Sequence, residues 1–324
     1  MNRDILNDSN YNFLQQNPDL SNVIYLALSG SYGYGTNSQN SDIDLRGFLI
    51  ESPKYLFGID HFDQFEDRQT DTVIYGLKKF VFLCTKANPN ALEILGVDED
   101  CIMIETEFGK MIRNNSDLFL SKRVINSFGN YANAQLRRLQ NALCHDSYDS
   151  KDKNEHLAKT LNSQIHHFNE NFSSLDDDAI KIFIDSEDNL LFNVHLENYP
   201  VSDFVGIYSE MANTVKTYSK LNHRNRKKDD YKLNKHAMHL IRLLLMGIDI
   251  LKGNGIITKR TKEHDLLMNI KNGKITYDEV FSLADQLQKE FNSFAKTTKL
   301  PKIPDIKKIE SIMADIYLRS ADTT

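Results

Sequence analysis

Residues 25–47 read YLALSGSYGYGTNSQNSDIDLRG. The run opens apolar, passes through Gly30-Ser31 and a turn-rich stretch, and then presents Asp42-Ile43-Asp44 ahead of a second apolar run. Apolar segments bounded by Gly, Ser and Asn predict a strand over 22–29 and another over 43–50. Successive side chains of a strand point to opposite faces, so Asp42 and Asp44 are expected on one face, with Ile43 turned into the core. Two carboxylates sharing a face repel, and one pKa rises unless a divalent cation lies between their oxygens. Gly30 and Ser31 offer what a phosphate requires, namely backbone amides at a tight turn and a hydroxyl. The stretch reads as a phosphate-binding turn set beside a carboxylate pair that favours a metal.

Two other phosphate motifs do not fit. GSYGYG lacks the Gly-Lys-Ser/Thr that closes a P-loop, and no acidic residue ends a second strand as a dinucleotide site requires. Composition narrows the field further. With 324 residues, 40% of them apolar, the chain is long enough for two domains and a sizeable core. Its net charge of −6 means that any contact with nucleic acid depends on a local basic patch. Cys84, Cys101 and Cys144 show no paired spacing, which argues against a disulfide framework and a zinc site and for a reducing, cytoplasmic setting. The N-terminus has no signal-type apolar segment, and no apolar stretch approaches the roughly twenty residues of a membrane span. The longest, near Leu240–Leu251, is broken by Arg242 and Asp249 and reads as a buried helix.

Gly30-Ser31, ten intervening residues and Asp42-x-Asp44 resemble the DNA polymerase β-like nucleotidyltransferase superfamily. The continuation, with Asp71-Thr72-Val73-Ile74-Tyr75 and then Asn88-Pro89-Asn90 and Glu93, is similar to a bacterial and phage branch associated with RNA repair. The resemblance implies a third metal carboxylate on a following strand, for which Asp71 is the candidate and Glu66 and Asp67 its neighbours in competition. It also implies two Mg²⁺ ions, replaceable by Mn²⁺, held by Asp42, Asp44 and Asp71. The reaction implied is in-line attack of a hydroxyl on the α-phosphate of an NTP, ATP among them, with loss of pyrophosphate. An RNA 3′ end, such as that of a cleaved tRNA, is the acceptor implied by the branch. Transfer of AMP to a protein or small-molecule hydroxyl, and a non-catalytic nucleotide sensor, are the alternatives.

The expected architecture is α+β. A small mixed-sheet, polymerase β palm-like domain over 1–118 is followed by a mainly helical domain over 119–324 that completes the cleft. Further strands are expected at 71–75 and 101–104, and a helix at 77–86. Helical periods follow at 121–144, 153–171, 201–221, 230–252, 276–296 and 305–320, interrupted by a hairpin at 180–184 and 190–196. Glu93 reads as a capping-box partner of Asn90.

In YKLNKHAMHLIRLLLMGIDIL, residues 231–251, Lys235, His239 and Arg242 fall at i, i+4 and i+7 and form one polar stripe on an apolar helix. A buried cationic stripe is costly without an anion, and nucleotide phosphate is the expected partner, as a comparable helix in the resembling branch also implies. An acidic neighbour on another helix is the alternative. His236 is a further candidate or a core histidine. Arg46 stands two residues beyond Asp44, where it can brace the carboxylates, and Tyr32 and Tyr34 can stack on a base or pack on the sheet. The basic run His223–Lys228, with Arg137-Arg138 and Lys259-Arg260, is a candidate polynucleotide surface or a solvated loop.

Overall fold

In the computed structural model the described residues are 6, 8–39, 41–145, 154–155, 157–158, 160–162, 164–165, 168, 172–176, 178–224 and 230–321, with backbone alone for 140–145, 217–224 and 230. Contacts divide the chain into two compact units, residues 1–135 with 234–324, and residues 136–233. This division does not coincide with a boundary at 118/119. The helices after 234 pack with the N-terminal sheet, while a central segment forms a unit of its own.

Five strands make the sheet of the first unit: β1 (Val23–Leu28), β2 (Leu45–Leu49), β3 (Gln64–Asp67), β4 (Thr72–Gly76) and β5 (Ile102–Glu105). Their order is β3-β4-β2-β1-β5, with β2 and β4 parallel and the other pairs antiparallel. Central β1 is apolar almost throughout because it is covered on both faces; only Val23, at its start, is part-exposed. On one face Phe48 stacks between Tyr25 and Phe80, with ring centroids 5.2 and 4.2 Å apart. The edge strand β3, with sequence QFED, has no fully buried residue, and its charges suit an unprotected edge. That polarity hides it from a search for apolar alternation.

Two expected strand starts shift. β2 begins at Leu45, paired with Leu28 and Thr72, and Asp42, Ile43 and Asp44 form the irregular approach to it. The Asp44 carbonyl accepts the Ser29 amide at 2.8 Å, which ends the β1 ladder at the mouth of the Gly30 turn. Asp71 lies in the turn before β4 with φ +46°, a left-handed conformation that Asp tolerates better than most residues.

The helices used below are α1 (Leu77–Thr85), α2 (Pro89–Leu95), α3 (Glu107–Arg113), α4 (Arg123–His145), α5 (Val201–Arg224), α6 (Asp230–Lys252), α7 (His264–Lys271), α8 (Tyr277–Thr297) and α9 (Ile306–Ala321). α8 starts with the capping box Thr276/Glu279. The late helices are tied to the sheet region by specific bonds. The Tyr317 hydroxyl donates to buried Glu51 at 2.8 Å, and Asp305 N donates to the Leu118 carbonyl at 3.0 Å. At Gly247 a side chain would run into Phe291 and Phe128, so the absent Cβ lets α6 approach α8 and α4 closely.

The second unit holds the expected hairpin, β6 (Ile180–Ile184) and β7 (Leu190–Val194), whose turn is held by Asp185 accepting the Glu187 and Asn189 amides at 2.9 and 2.8 Å. Its core gathers Phe168, Leu175, Ile180 and Ile207, with Leu157, Leu161 and Ile182 beside them. The helix expected over 153–171 falls on residues that are described only in part.

Candidate active site

β1 ends at Leu28, and Ser29 leads into a single helical turn, Gly30–Gly33. Gly30 has φ +55°, and a Cβ placed on it would collide with the Asp44 carboxylate. Only glycine meets both conditions, which is why the turn can lie directly against Asp44. The amides of Ser31 and Tyr32 belong to the first turn, where N–H groups have no helical acceptor. The Ser31 carbonyl accepts Thr36 N at 2.8 Å and closes the loop.

The acidic side chains converge from two elements. Asp44, half-buried at the entrance of β2, lies close enough to Asp71 for their carboxyls to hydrogen-bond. Burial is the main cause that pushes the Asp44 pKa up to about 7, and the hydrogen bond and charge of Asp71 add to it. Asp71 is held below its ordinary range against the opposing pull of burial, because Asp44 and Arg46 both hydrogen-bond its carboxylate. Arg46 Nη2 reaches Asp71 Oδ1 at 2.8 Å, and Nη1 donates to the Leu45 carbonyl at 2.9 Å and to the Asp71 carbonyl. Exposed Asp42 stands within electrostatic range of Asp44. One carboxyl of the pair therefore holds a proton near neutrality, the behaviour of two acids confined without a cation.

The competitors of Asp71 are engaged elsewhere. Asp67 Oδ2 accepts the Thr70 amide and hydroxyl at 2.9 and 2.6 Å, and Glu66 approaches Arg68 at 3.5 Å. Among the described residues no group of three or more His, Cys, Asp and Glu side chains forms a ready cage for a metal.

The polar stripe of α6 is divided by its environment. Arg242 is fully buried, with Nη2 on Glu93 Oε1 at 2.8 Å and on His239 Nδ1 at 2.9 Å. It takes the acidic partner that was the alternative to phosphate, and no phosphate reaches it without rearrangement. Its guanidinium lies 3.5 Å from the centroid of the Tyr34 ring, whose hydroxyl donates to Glu93 Oε2 at 2.5 Å. Tyr34 is thus clamped and has that face closed to a base. Glu93 is the centre of this network and not a capping residue: the N-cap of α2 is Asn88, whose side chain accepts Ala91 N at 3.2 Å. His239, neutral with its pKa lowered to about 4 chiefly by burial, accepts from Arg242 through Nδ1 and carries its proton on Nε2. Lys235 and His236 are half-buried on the same helix, and the Tyr32 carbonyl receives the Cys101 thiol at 3.7 Å.

The sequence pattern does not mark Lys271, the last residue of α7. It is buried and donates to the Thr36 carbonyl at 2.6 Å. A lone lysine in a short helix carries no periodic signal; its place beside the loop comes from the tertiary fold alone.

The candidate polynucleotide surface is mostly committed to other contacts. Lys259 pairs with Asp100 at 2.8 Å and Asp98 at 3.5 Å, while buried Arg260 is paired with Asp249. In the second unit Arg137 is half-buried and Arg138 exposed. The run His223–Lys228 lies outside the residues whose side chains are described. No helix among the described residues is long and apolar enough to cross a membrane.

The comparisons bear on the whole of this arrangement. The model of RlaP, the RNA repair pathway DNA polymerase beta family, matches residues 8–315. No curated protein and no solved structure matches the chain. Because the match runs unbroken through the Gly30 turn, the carboxylates and the late helices that return to them, the chain belongs to the RNA repair pathway DNA polymerase beta family, a lineage of nucleotidyltransferases.

Proposed function

We propose that the protein transfers a nucleoside monophosphate from an NTP to a hydroxyl of RNA, most simply the 3′ end of a damaged tRNA, with release of pyrophosphate. The observation that carries this reading is the convergence of Asp44 and Asp71 beside the Gly30-Ser31 turn. RNA as acceptor rests on the family, whose description places it in RNA repair. In this reading the sheet serves as a polymerase β palm-like platform.

The residues present fit Mg²⁺. Asp42, Asp44 and Asp71 offer only hard oxygen donors, and Mg²⁺ characteristically uses one or two carboxylates completed by substrate phosphates and water. A pair that retains a proton near neutrality gains from exchanging it for a cation. Two Mg²⁺ ions bound there, or Mn²⁺ in their place, would offset charge on the α-phosphate and on the attacking oxygen. Ser31, through its amide and hydroxyl, would hold the polyphosphate, and Gly30 permits its close approach. Asp71, kept ionised by Arg46, is placed to accept the hydroxyl proton as the acceptor oxygen bonds to the α-phosphorus and pyrophosphate departs. Arg242 and Glu93 act behind the loop by clamping Tyr34, with Lys235 the exposed cation of the α6 stripe available to phosphate.

The test supplies each α-³²P-labelled NTP with Mg²⁺ or Mn²⁺ and a mixture of total RNA, small metabolites and the protein itself, for wild type and Asp42→Ala/Asp44→Ala. Label entering RNA with wild type alone supports the proposal. Label on protein or on a small molecule would replace RNA as acceptor, and binding without transfer would leave a nucleotide sensor.

A further inference from the structure

Lys271 and Thr36 form a buried polar pocket short of acceptors. Lys271 is 2% exposed, and no carboxylate lies within ion-pair distance of it among the described residues. One of its three ammonium donors is used, on the Thr36 carbonyl at 2.6 Å. Thr36 is itself fully buried, and its hydroxyl has no hydrogen-bond partner among the described residues. The charged neighbour that acts on Lys271 is another cation, Lys235 of α6; together with burial, which is the larger cause, it pushes the Lys271 pKa down. A buried ammonium facing a like charge is costly, and each unfilled group here lacks the same thing, an anionic oxygen.

The position of the pocket tells which anion it suits. Thr36 N is bonded to the Ser31 carbonyl at 2.8 Å, so Lys271 grips the far end of the loop that begins at Gly30. His264, at the start of α7, lies 3.1 Å from the Gly35 carbonyl through Nε2, which fixes that helix to the same loop. The loop therefore runs from an acidic end, at Asp44 and Asp71, to a cationic end, at Lys271 and Lys235. A ligand that spans it carries positive or metal-associated charge at one end and dense negative charge at the other.

Resting on the nucleotidyl-transfer reading, we propose that Lys271, with Lys235 and the Thr36 hydroxyl, forms the subsite for the terminal phosphates of the nucleotide and so selects triphosphates over monophosphates. Lys271 would donate its two remaining N–H bonds, and Thr36 its hydroxyl proton, to phosphate oxygens. The α-phosphate is left at the carboxylate end.

The test measures binding of fluorescent ATP, AMP and inorganic tripolyphosphate, each with Mg²⁺, to wild type and Lys271→Met by titration. Met replaces the ammonium with an apolar group of similar length. Loss of roughly ten- to hundredfold in affinity for ATP and tripolyphosphate, with AMP unchanged, is expected. Equal effects on all three ligands, or none, would overturn the subsite. Should Lys271→Met not fold, Thr36→Val and Lys235→Met carry the same expectation, and their failure to discriminate ATP from AMP would overturn it equally. Lys271-dependent binding of tripolyphosphate without any nucleotide binding would retain an anion subsite while removing the nucleotidyl-transfer reading. Wild type that binds neither ATP nor tripolyphosphate would overturn both.

Discussion

Gly30 occupies the space immediately beside the Asp44 carboxylate, where the structure leaves no room for a β-carbon. Gly30→Ala must therefore displace the acid or the turn, in addition to the left-handed strain of about 1–3 kcal/mol. The expected result is a lower melting temperature together with loss of nucleotide transfer. A variant that transfers normally would show that the turn and the acid need not touch.

The Asp44 carboxyl gives a pH signature in metal-free protein. Folded, it keeps its proton to about pH 7; unfolded, it loses it near the ordinary value of 3.8. Between those limits the folded state binds the additional proton, so this contribution to stability falls as the pH rises, and above them it is lost. Asp71, shifted the other way, contributes below its own unfolded value and not in this window. Melting temperatures of wild type and Asp44→Asn in chelator from pH 4 to 8 should diverge in favour of the variant, then run parallel above pH 7. A constant difference would show that the two acids are not coupled.

Asp71 and Asp67 separate chemistry from turn stability. Asp71→Asn should lower transfer roughly a hundredfold or more with little change in melting temperature. Asp67→Asn should weaken the two bonds that hold Thr70, costing about 1 kcal/mol of stability, and leave transfer near wild type. Equal transfer by the two variants would remove Asp71 from the site.

Glu93 and Arg242 form a buried ion pair with side chains 5% and 0% exposed. Removing one partner strands the other, at a cost of about 3–5 kcal/mol, whereas replacing both by apolar residues recovers much of the loss. Chemical denaturation of Arg242→Met, Glu93→Leu and the double variant should show this non-additivity. The double variant should still transfer poorly, because Tyr34 loses both its clamp and its hydroxyl acceptor. Full activity in the double variant would make the network purely structural.

Much of this arrangement was legible in the chain because it is written in local periodicity. The strand expected at 22–29 is observed over Val23–Leu28, and the helix expected at 230–252 over Asp230–Lys252. The readings that changed depend on partners remote in sequence. Glu93 lies at capping distance from Asn90, yet its hydrogen-bond partner Arg242 is 149 residues away. Asp42 and Asp44 alternate as in a strand, but pairing starts at Leu45, so a turn and not strand alternation places them. Lys271 has no motif at all, and no local pattern records that α7 ends at the Gly30 loop.

The chain leaves its first unit after Gln135 and re-enters it at Asn234, and Glu51 on the sheet side meets its hydroxyl donor at Tyr317. Synthesis proceeds from the N-terminus, so a ribosome will have released the sheet strands, the Gly30 loop and a whole second unit before the residues that complete the first can emerge. During that interval Glu93 waits without Arg242, and the Thr36 carbonyl without Lys271. Competence would then arrive late and together: a nascent chain bears all of its acidic residues early, but the apparatus that holds them in register is delivered last.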